Sequence, residues 1–265
     1  MAHLEEFTQD EEHRLVAGYP KTGRTWVRYM LASALVEHYD LDLDVNLNNV
    51  YNIVPNDEAG RVPGQPAYAY DGTVPKIEMT HQRYVESEHQ YVMKIFLMRD
   101  PRDIMVSHWL HNQNQRHQFD GTLSDFIHDS KFGIDAFLDH LSSWAPKLNT
   151  KDVVTYENMR SNPVGALKRI IDTLKVPISA SEAAAAVSAS SMDNMRQKEI
   201  QHGIAGHVYD KANPEALRVR RGKVGGFVDY MLPQDEEYIH ERIASSEPPT
   251  KAVIDLTAYQ DTTIR

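Results

Sequence analysis

Gly18, Tyr19, Pro20, Lys21, Thr22, Gly23, Arg24 and Thr25 lie between a short apolar run and an amphipathic stretch, and carry the densest chemistry in the sequence. Where a strand turns tightly into a helix, successive backbone N–H groups and the positive helix end hold an anion, with phosphate or sulfate the natural guest. The spacing is that of a GxxxxG-K-[ST] phosphate loop, except that Arg24 stands at the lysine position and a lysine lies three residues earlier, at Lys21. A planar guanidinium does not replace a compact ammonium there, which disfavours ATP chemistry on this loop. Glycines and basic residues concentrate again at 201–228, with His202, His207, Lys211, Arg218, Arg220, Arg221 and Lys223. That stretch reverses the overall balance, in which 38 acidic against 28 basic residues give a net charge of −10. Such a chain is repelled by nucleic acid and by anionic membranes, so neither is an expected partner and any anion site must be local. The absence of cysteine removes disulfides, thiolate ligands and a cysteine nucleophile. His108 and His111 fall three apart on a predicted helix without an HExxH pattern or a third ligand, so they read as structural and no metal is implied.

The elements that must position these residues follow from periodicity. Short apolar runs alternate with longer amphipathic stretches, the pattern of parallel strands joined by crossover helices, and the expected class is α/β with a central parallel sheet flanked by helices. Strands are predicted at 13–19, 76–80, 91–98 and 152–156; the run YVMKIFLM at 91–98 suits a central strand covered on both faces. Helices are predicted at 25–38, 101–109 with Pro101 in the first turn, 123–128, 134–144, 163–174, 180–195 and 233–244. Residues 55–75 hold four prolines and three glycines and read as a long surface loop, either a lid or an insertion. The segment from residue 247 reads as an extended tail. No repeat or composition break divides the chain, so one domain is expected over 1–265, with its motif-bearing core at 13–245.

Five segments, in order along the chain, resemble the motifs of the cytosolic-type sulfotransferases, which use 3′-phosphoadenosine 5′-phosphosulfate (PAPS). YPKTGRTW at 19–26 resembles their YPKSGTTW loop, and Met79-Thr80-His81 resembles KTH. Arg99 to Ser107 resembles RxPxD…S, Tyr156-Glu157-Asn158-Met159 resembles YEDM, and Arg220-Arg221-Gly222 resembles RKG. Ser190-Ser191-Met192 is similar to TSF, and Trp26 keeps the position of the stacking tryptophan. Three departures stand out. Met79 replaces the lysine of KTH, Arg24 replaces a threonine, and Gly226-Phe227 replaces the GDW that follows RKG.

The resemblance implies a P-loop NTPase-like sulfotransferase fold and in-line transfer of a sulfuryl group from PAPS to a hydroxyl, leaving adenosine 3′,5′-bisphosphate (PAP). His81 would be the base, and its ordinary pKa near 6.5 suits proton uptake at neutral pH. Lys21 would meet the bridging oxygen, the backbone N–H groups of Thr22, Gly23, Arg24, Thr25 and Trp26 would bind the 5′-phosphate, and Arg24 would supply charge lost at Met79. Arg99, Ser107, Arg220, Arg221 and Gly222 would close on the 3′-phosphate, with Trp26, Tyr156, Ser190 and Met192 around the adenine. A nucleotide kinase using ATP and magnesium on the same loop is the alternative, sustained by Asp100; a non-enzymatic nucleotide or polyanion binder is the other.

With its basic clusters assigned to the donor, the net charge points to a neutral, small to medium-sized hydroxyl acceptor, faced by Tyr68 and Tyr70 and by the loops at 55–75 and 112–119. No export signal or apolar run of membrane-spanning length is visible, so a cytoplasmic location is expected. The family's short C-terminal dimer motif is not recognisable at 251–265, which leaves the oligomeric state open.

Overall fold

The computed structural model describes residues 13–57, 67–70 and 72–259. Four parallel strands, β1 (Arg14–Gly18), β2 (Ile77–Thr80), β3 (Met93–Met98) and β4 (Val153–Thr155), form one sheet in the order β2-β1-β3-β4. Arg14 pairs with Ile77 on one side and Met93 on the other, and Gly18 ends opposite Leu97, so the carboxyl ends of β1, β2 and β3 meet along one edge. Strand order reverses between β1 and β3, and this is where an open parallel sheet leaves a crevice for ligands.

Eleven helices among the described residues complete the fold. In chain order they are α1 (Arg24–His38), α2 (Glu86–His89), α3 (Pro101–His111), α4 (Leu123–His128), α5 (Ile134–Trp144), α6 (Tyr156–Ser161), α7 (Pro163–Thr173), α8 (Ala180–Ala189), α9 (Met192–His202), α10 (Pro233–Ala244) and α11 (Pro248–Ile254). The alternation of strand side chains sorts them into two cores. Val16, Ile95 and Leu97 face α1, α7 and α8, whereas Leu15, Ala17, Phe96 and Met98 face α3, α5, α10 and α11 around a fully buried Trp144.

Two predicted elements are corrected. The helix expected at 180–195 is two helices, because Ser190 turns its hydroxyl onto the Val187 carbonyl and Ser191 caps α9 by accepting from the Asn194 N–H. Serine competes with helical bonding in this way, and side chains decided what alanine content had obscured. The segment from residue 247 is not an extended tail. Pro248 and Pro249 open α11, whose Thr250, Val253 and Ile254 are buried against α5.

The segment at 55–75 is not wholly on the surface. Pro55 and Asn56 are buried beside β2, where the Met79 N–H donates to the Pro55 carbonyl at 2.9 Å. Residues 58–66 and 71, and with them the question of a lid, lie outside the described residues.

Candidate active site

The turn from β1 into α1 is built by its glycines. A Cβ at Gly18 would lie 2.8 Å from the Leu97 carbonyl oxygen, so β1 and β3 converge only with glycine there. Gly23 has φ 98°, and a Cβ on it would meet the Tyr156 ring at 2.8 Å. As the N-cap of α1 it offers no side chain to the first turn. The N–H groups of Thr22, Gly23, Arg24 and Thr25 make no hydrogen bond among the described residues, whereas that of Trp26 closes onto the Gly23 carbonyl at 2.9 Å. The open donors therefore stop one residue earlier than the sequence suggested. Lys21 is left-handed at φ 77°, a strained backbone for a residue with a Cβ, and strain of this kind concentrates at functional sites.

His81 follows β2 directly and reaches across to β1, with Nδ1 2.6 Å from the Gly18 carbonyl oxygen. A carbonyl only accepts, so Nδ1 carries the proton and Nε2 keeps its lone pair. Burial, then the positive charge of Arg24, hold its pKa well below the ordinary 6.5; the Gly18 bond opposes this, while His140 and Arg28 add to it. Lys21 is also pushed well below its ordinary value, by burial and then by Arg218, Arg99 and Arg220.

Arg99 leaves β3 and lies 4.3 Å over the Tyr156 ring, held by the Lys21 and Lys223 carbonyls and by Asp103 at 3.3 Å. Its Nε is buried without a partner. Asp103 also accepts from the N–H groups of Gly225 and Phe227, both at 2.9 Å, which ties the basic segment to α3. Within that segment Gly222 has φ 61°, and a Cβ there would collide with Met192 Sδ. Trp26 donates from Nε1 to the Ser190 carbonyl at 3.1 Å and stands edge-on to Tyr156. Lys21, Gly23, Arg24, Thr25, Trp26, His81, Arg99, Ser107, Tyr156, Ser190, Met192, Arg220, Arg221 and Gly222 thus line one cavity of about 320 Å³. Thr22 alone among the expected residues turns inward, fully buried with its hydroxyl on the Tyr19 carbonyl.

The same cavity holds residues that sequence reasoning missed. Arg28 lies one helical turn beyond Arg24, fully buried, bonded to the Val54 carbonyl and Asn56 and stacked 4.2 Å from the Tyr51 ring. Its signal was an arginine inside an otherwise apolar helix face. His111 and Arg116 line the cavity from the end of α3 and the π-helical turn Asn112–Arg116 that continues it, where a loop had been expected. His207 and Arg218 come from the basic segment. His108 is structural, buried edge-on to Tyr19 and Phe126, but His111 belongs to the cavity wall. Tyr68 and Tyr70 pack against the core and do not line the cavity, whereas Tyr51 does, along with Trp26, Tyr156 and Tyr230. Arg28, Arg116 and Arg218 line the cavity in addition to the basic residues assigned to the donor, a local concentration that net charge, an average over the surface, does not register.

A sulfotransferase-domain family profile matches residues 11–253. Rabbit (Oryctolagus cuniculus) amine sulfotransferase is 22% identical over 96% of this chain and 87% of its own length. Cytosolic sulfotransferase 17 of Arabidopsis thaliana is 26% identical over 83% and 69%. Among solved structures, mouse sulfotransferase SULT7A1 complexed with PAP superposes with a TM-score of 0.63 at 20% identity, covering 92% of this chain and 88% of that one. Retinol dehydratase in complex with retinol and PAP gives 0.64 at 15% identity, covering 94% and 83%. At these identities the superpositions establish the fold. The profile leaves little of the sequence outside its span, and on that ground the chain belongs to the sulfotransferase family.

Proposed function

We propose that the protein transfers a sulfuryl group from PAPS to a hydroxyl acceptor, with His81 as base and Lys21 as electrostatic stabiliser. The observation that carries this reading is the meeting, at one sheet edge, of the open N–H groups at 22–25, Lys21 and a tautomer-fixed His81. The cavity suits the donor: Gly23 and Gly222 let both loops close onto Tyr156 and Met192 along its wall, and Arg99 holds an unpartnered buried Nε in a cavity that Ser107, Arg220 and Arg221 also line. When bound, PAPS supplies an activated sulfuryl group. His81 Nε2 accepts the acceptor's proton as the acceptor oxygen bonds to sulfur. The bond from sulfur to the phosphate oxygen breaks, and Lys21 meets the charge left on that oxygen. The cytosolic naming of the Arabidopsis relative supports a cytoplasmic location for this chain as well.

The kinase reading is weaker. Asp100, the acid available for magnesium at the end of β3, is 2% exposed and bonded to the Arg102 side chain at 2.7 and 3.0 Å as well as capping α3. PAP is therefore expected to raise the melting temperature more than ATP with magnesium does. Arg99→Ala is expected to weaken PAP by about tenfold or more while leaving AMP nearly unaffected, since only PAP carries the 3′-phosphate. Equal weakening of both by calorimetry would mean that the clamp is elsewhere.

The depressed pKa of His81 has a readable sign. A lowered value keeps the imidazole neutral, the form that accepts a proton, throughout the range where an ordinary histidine titrates. The rate constant kcat/KM, which reports the free enzyme, is expected to stay level from about pH 8 through 6.5 and to fall only at lower pH. A decline centred near 6.5 would assign the base to an unperturbed group.

A further inference from the structure

The cavity carries more cation than its donor half uses. Lys21, Arg99, Arg220 and Arg221 stand beside the open N–H groups and the Tyr156 ring. The remaining wall holds Arg24, Arg28, Arg116 and Arg218, with His81, His111, His207, Asn56 and Tyr51, whose hydroxyl pKa is raised by burial but drawn below its ordinary value overall by Arg28, Arg218 and Arg24. Asp103 is the only acid lining the cavity among the described residues, and its carboxylate is engaged by Arg99 and two backbone N–H groups.

Of the acids near the cavity that do not line it, Glu215 and Asp229 pair with Arg220, Arg221 and Lys223 on the donor side, and two others bear on the remaining wall. Glu199 is fully buried and accepts from the Arg218 and Val219 N–H groups at 2.7 and 2.8 Å and from the Tyr209 hydroxyl at 2.6 Å. Asp57 bears on Arg24 from beyond the cavity wall. Glu199 forms no ion pair with the arginines of this wall among the described residues. The side chains of Arg24 and Arg116 make no hydrogen bond or ion pair with described residues, and Arg218 has a buried Nε without a partner while its other end meets His207.

The arginines are nevertheless held in place. Gln115, in the π-helical turn with Arg116, donates to the Ala216 carbonyl two residues before Arg218, so the two guanidinium groups are mounted on segments bonded to each other. Glu199 fixes the backbone of Arg218 from the other side. Burial and mutual repulsion show at two of its members: His207 is driven down to about 3 by burial and then by Arg218 and Arg116, and Arg24 down to about 9 by burial and then by Arg28. Keeping cations together in a partly desolvated wall costs free energy unless an anion offsets it, and planar guanidinium forks match the oxygens of a carboxylate, phosphate or sulfate.

We propose that the acceptor is an organic oxyanion: a hydroxyl compound whose carboxylate, phosphate or sulfate group sits between Arg116 and Arg218, leaving its hydroxyl at His81. This rests on the sulfuryl-transfer reading and replaces the neutral acceptor expected from net charge. It also gives the arginines a part in catalysis without touching the reacting atoms. An anion seated among them offsets the positive field of Arg24 and Arg28 at His81 and strengthens that base only when the acceptor is in place.

The test uses matched pairs that differ in charge, such as 4-hydroxybenzoate and its methyl ester, or a hydroxyalkyl phosphate and the corresponding diol, titrated calorimetrically into the full-length protein saturated with PAP. The anionic member is expected to bind about tenfold or more tightly than its neutral partner, the factor carried by one charge-assisted hydrogen bond. Arg116→Gln, at an exposed side chain whose loss leaves the core intact, should erase that preference, and Arg218→Gln should do the same. In transfer assays with PAPS the loss should fall on the KM of the anion and not on that of the ester. PAP affinity in Arg116→Gln should be unchanged. If PAP binds but no anion outbinds its neutral partner, or the preference survives both substitutions, the inference is overturned and the sulfuryl-transfer reading stands. If PAP does not bind, that reading fails as well.

Discussion

Replacing His81 with alanine is expected to lower turnover by about a hundredfold or more while the dissociation constant for PAP stays within about twofold. The imidazole is held from behind by the Gly18 carbonyl, which fixes the proton on Nδ1 and keeps Nε2 available as an acceptor. Losing a base raises the barrier for proton removal without removing a contact to the donor. His81→Gln separates this from a positioning role. A glutamine amide can still donate to the Gly18 carbonyl but offers no basic nitrogen. Equal loss in both variants identifies the base, whereas recovery in glutamine, or a parallel loss of PAP affinity in alanine, would show that His81 only shapes the loop.

Lys21→Met is expected to lower turnover by about two to three orders of magnitude and to weaken PAP together with it. The ammonium meets charge already present on the bound donor and more that develops as the bond to sulfur breaks, so ground state and transition state both suffer. The methionine stem preserves the apolar part of the side chain. Because Lys21 is pushed below its ordinary value by burial among Arg218, Arg99 and Arg220, donor anions are expected to draw it back toward the charged form. At alkaline pH, where a lysine lowered in this way loses its proton before an ordinary one does, proton uptake on PAP binding, read by calorimetry in buffers of different ionisation enthalpy, should therefore be present in the natural protein and absent in the variant. Unchanged uptake in Lys21→Met would place the titrating group elsewhere.

What the sequence made legible was local. The run at 91–98 announced a central strand because residues buried on both faces leave no alternation, and α4, α5 and α10 were readable from apolar spacing and from Pro233. The loop at 18–25, His81 and Arg99 could be found because each lies at or just after a strand end, where chain order alone puts them on one edge. Arg116, Tyr51 and Asn56 could not. They reach the cavity through the π-helical turn, the packing of 45–54 on α1 and the bridge to β2, all settled by contacts between segments far apart in sequence. The division between α8 and α9 was hidden for a different reason: Ser190 and Ser191 are weak helix formers whose effect depends on the carbonyls that they find.

Arg220 and Arg221 do not stand bare at the mouth of the cavity. Arg220 is paired with Glu215 at 3.1 Å and with the Tyr230 hydroxyl, and Arg221 with Asp229 at 3.2 Å and Glu215 at 3.5 Å. An incoming phosphate must displace carboxylates that belong to the same segment. Added salt screens the internal pairs along with the new ones, so the two losses largely cancel in the exchange. The ionic-strength dependence of donor affinity then falls below what the number of charged contacts implies, and polyanions that offer charge without the right placement of phosphates gain little from this segment. A strongly acidic protein can in this way carry a concentrated basic site without becoming a general trap for anions.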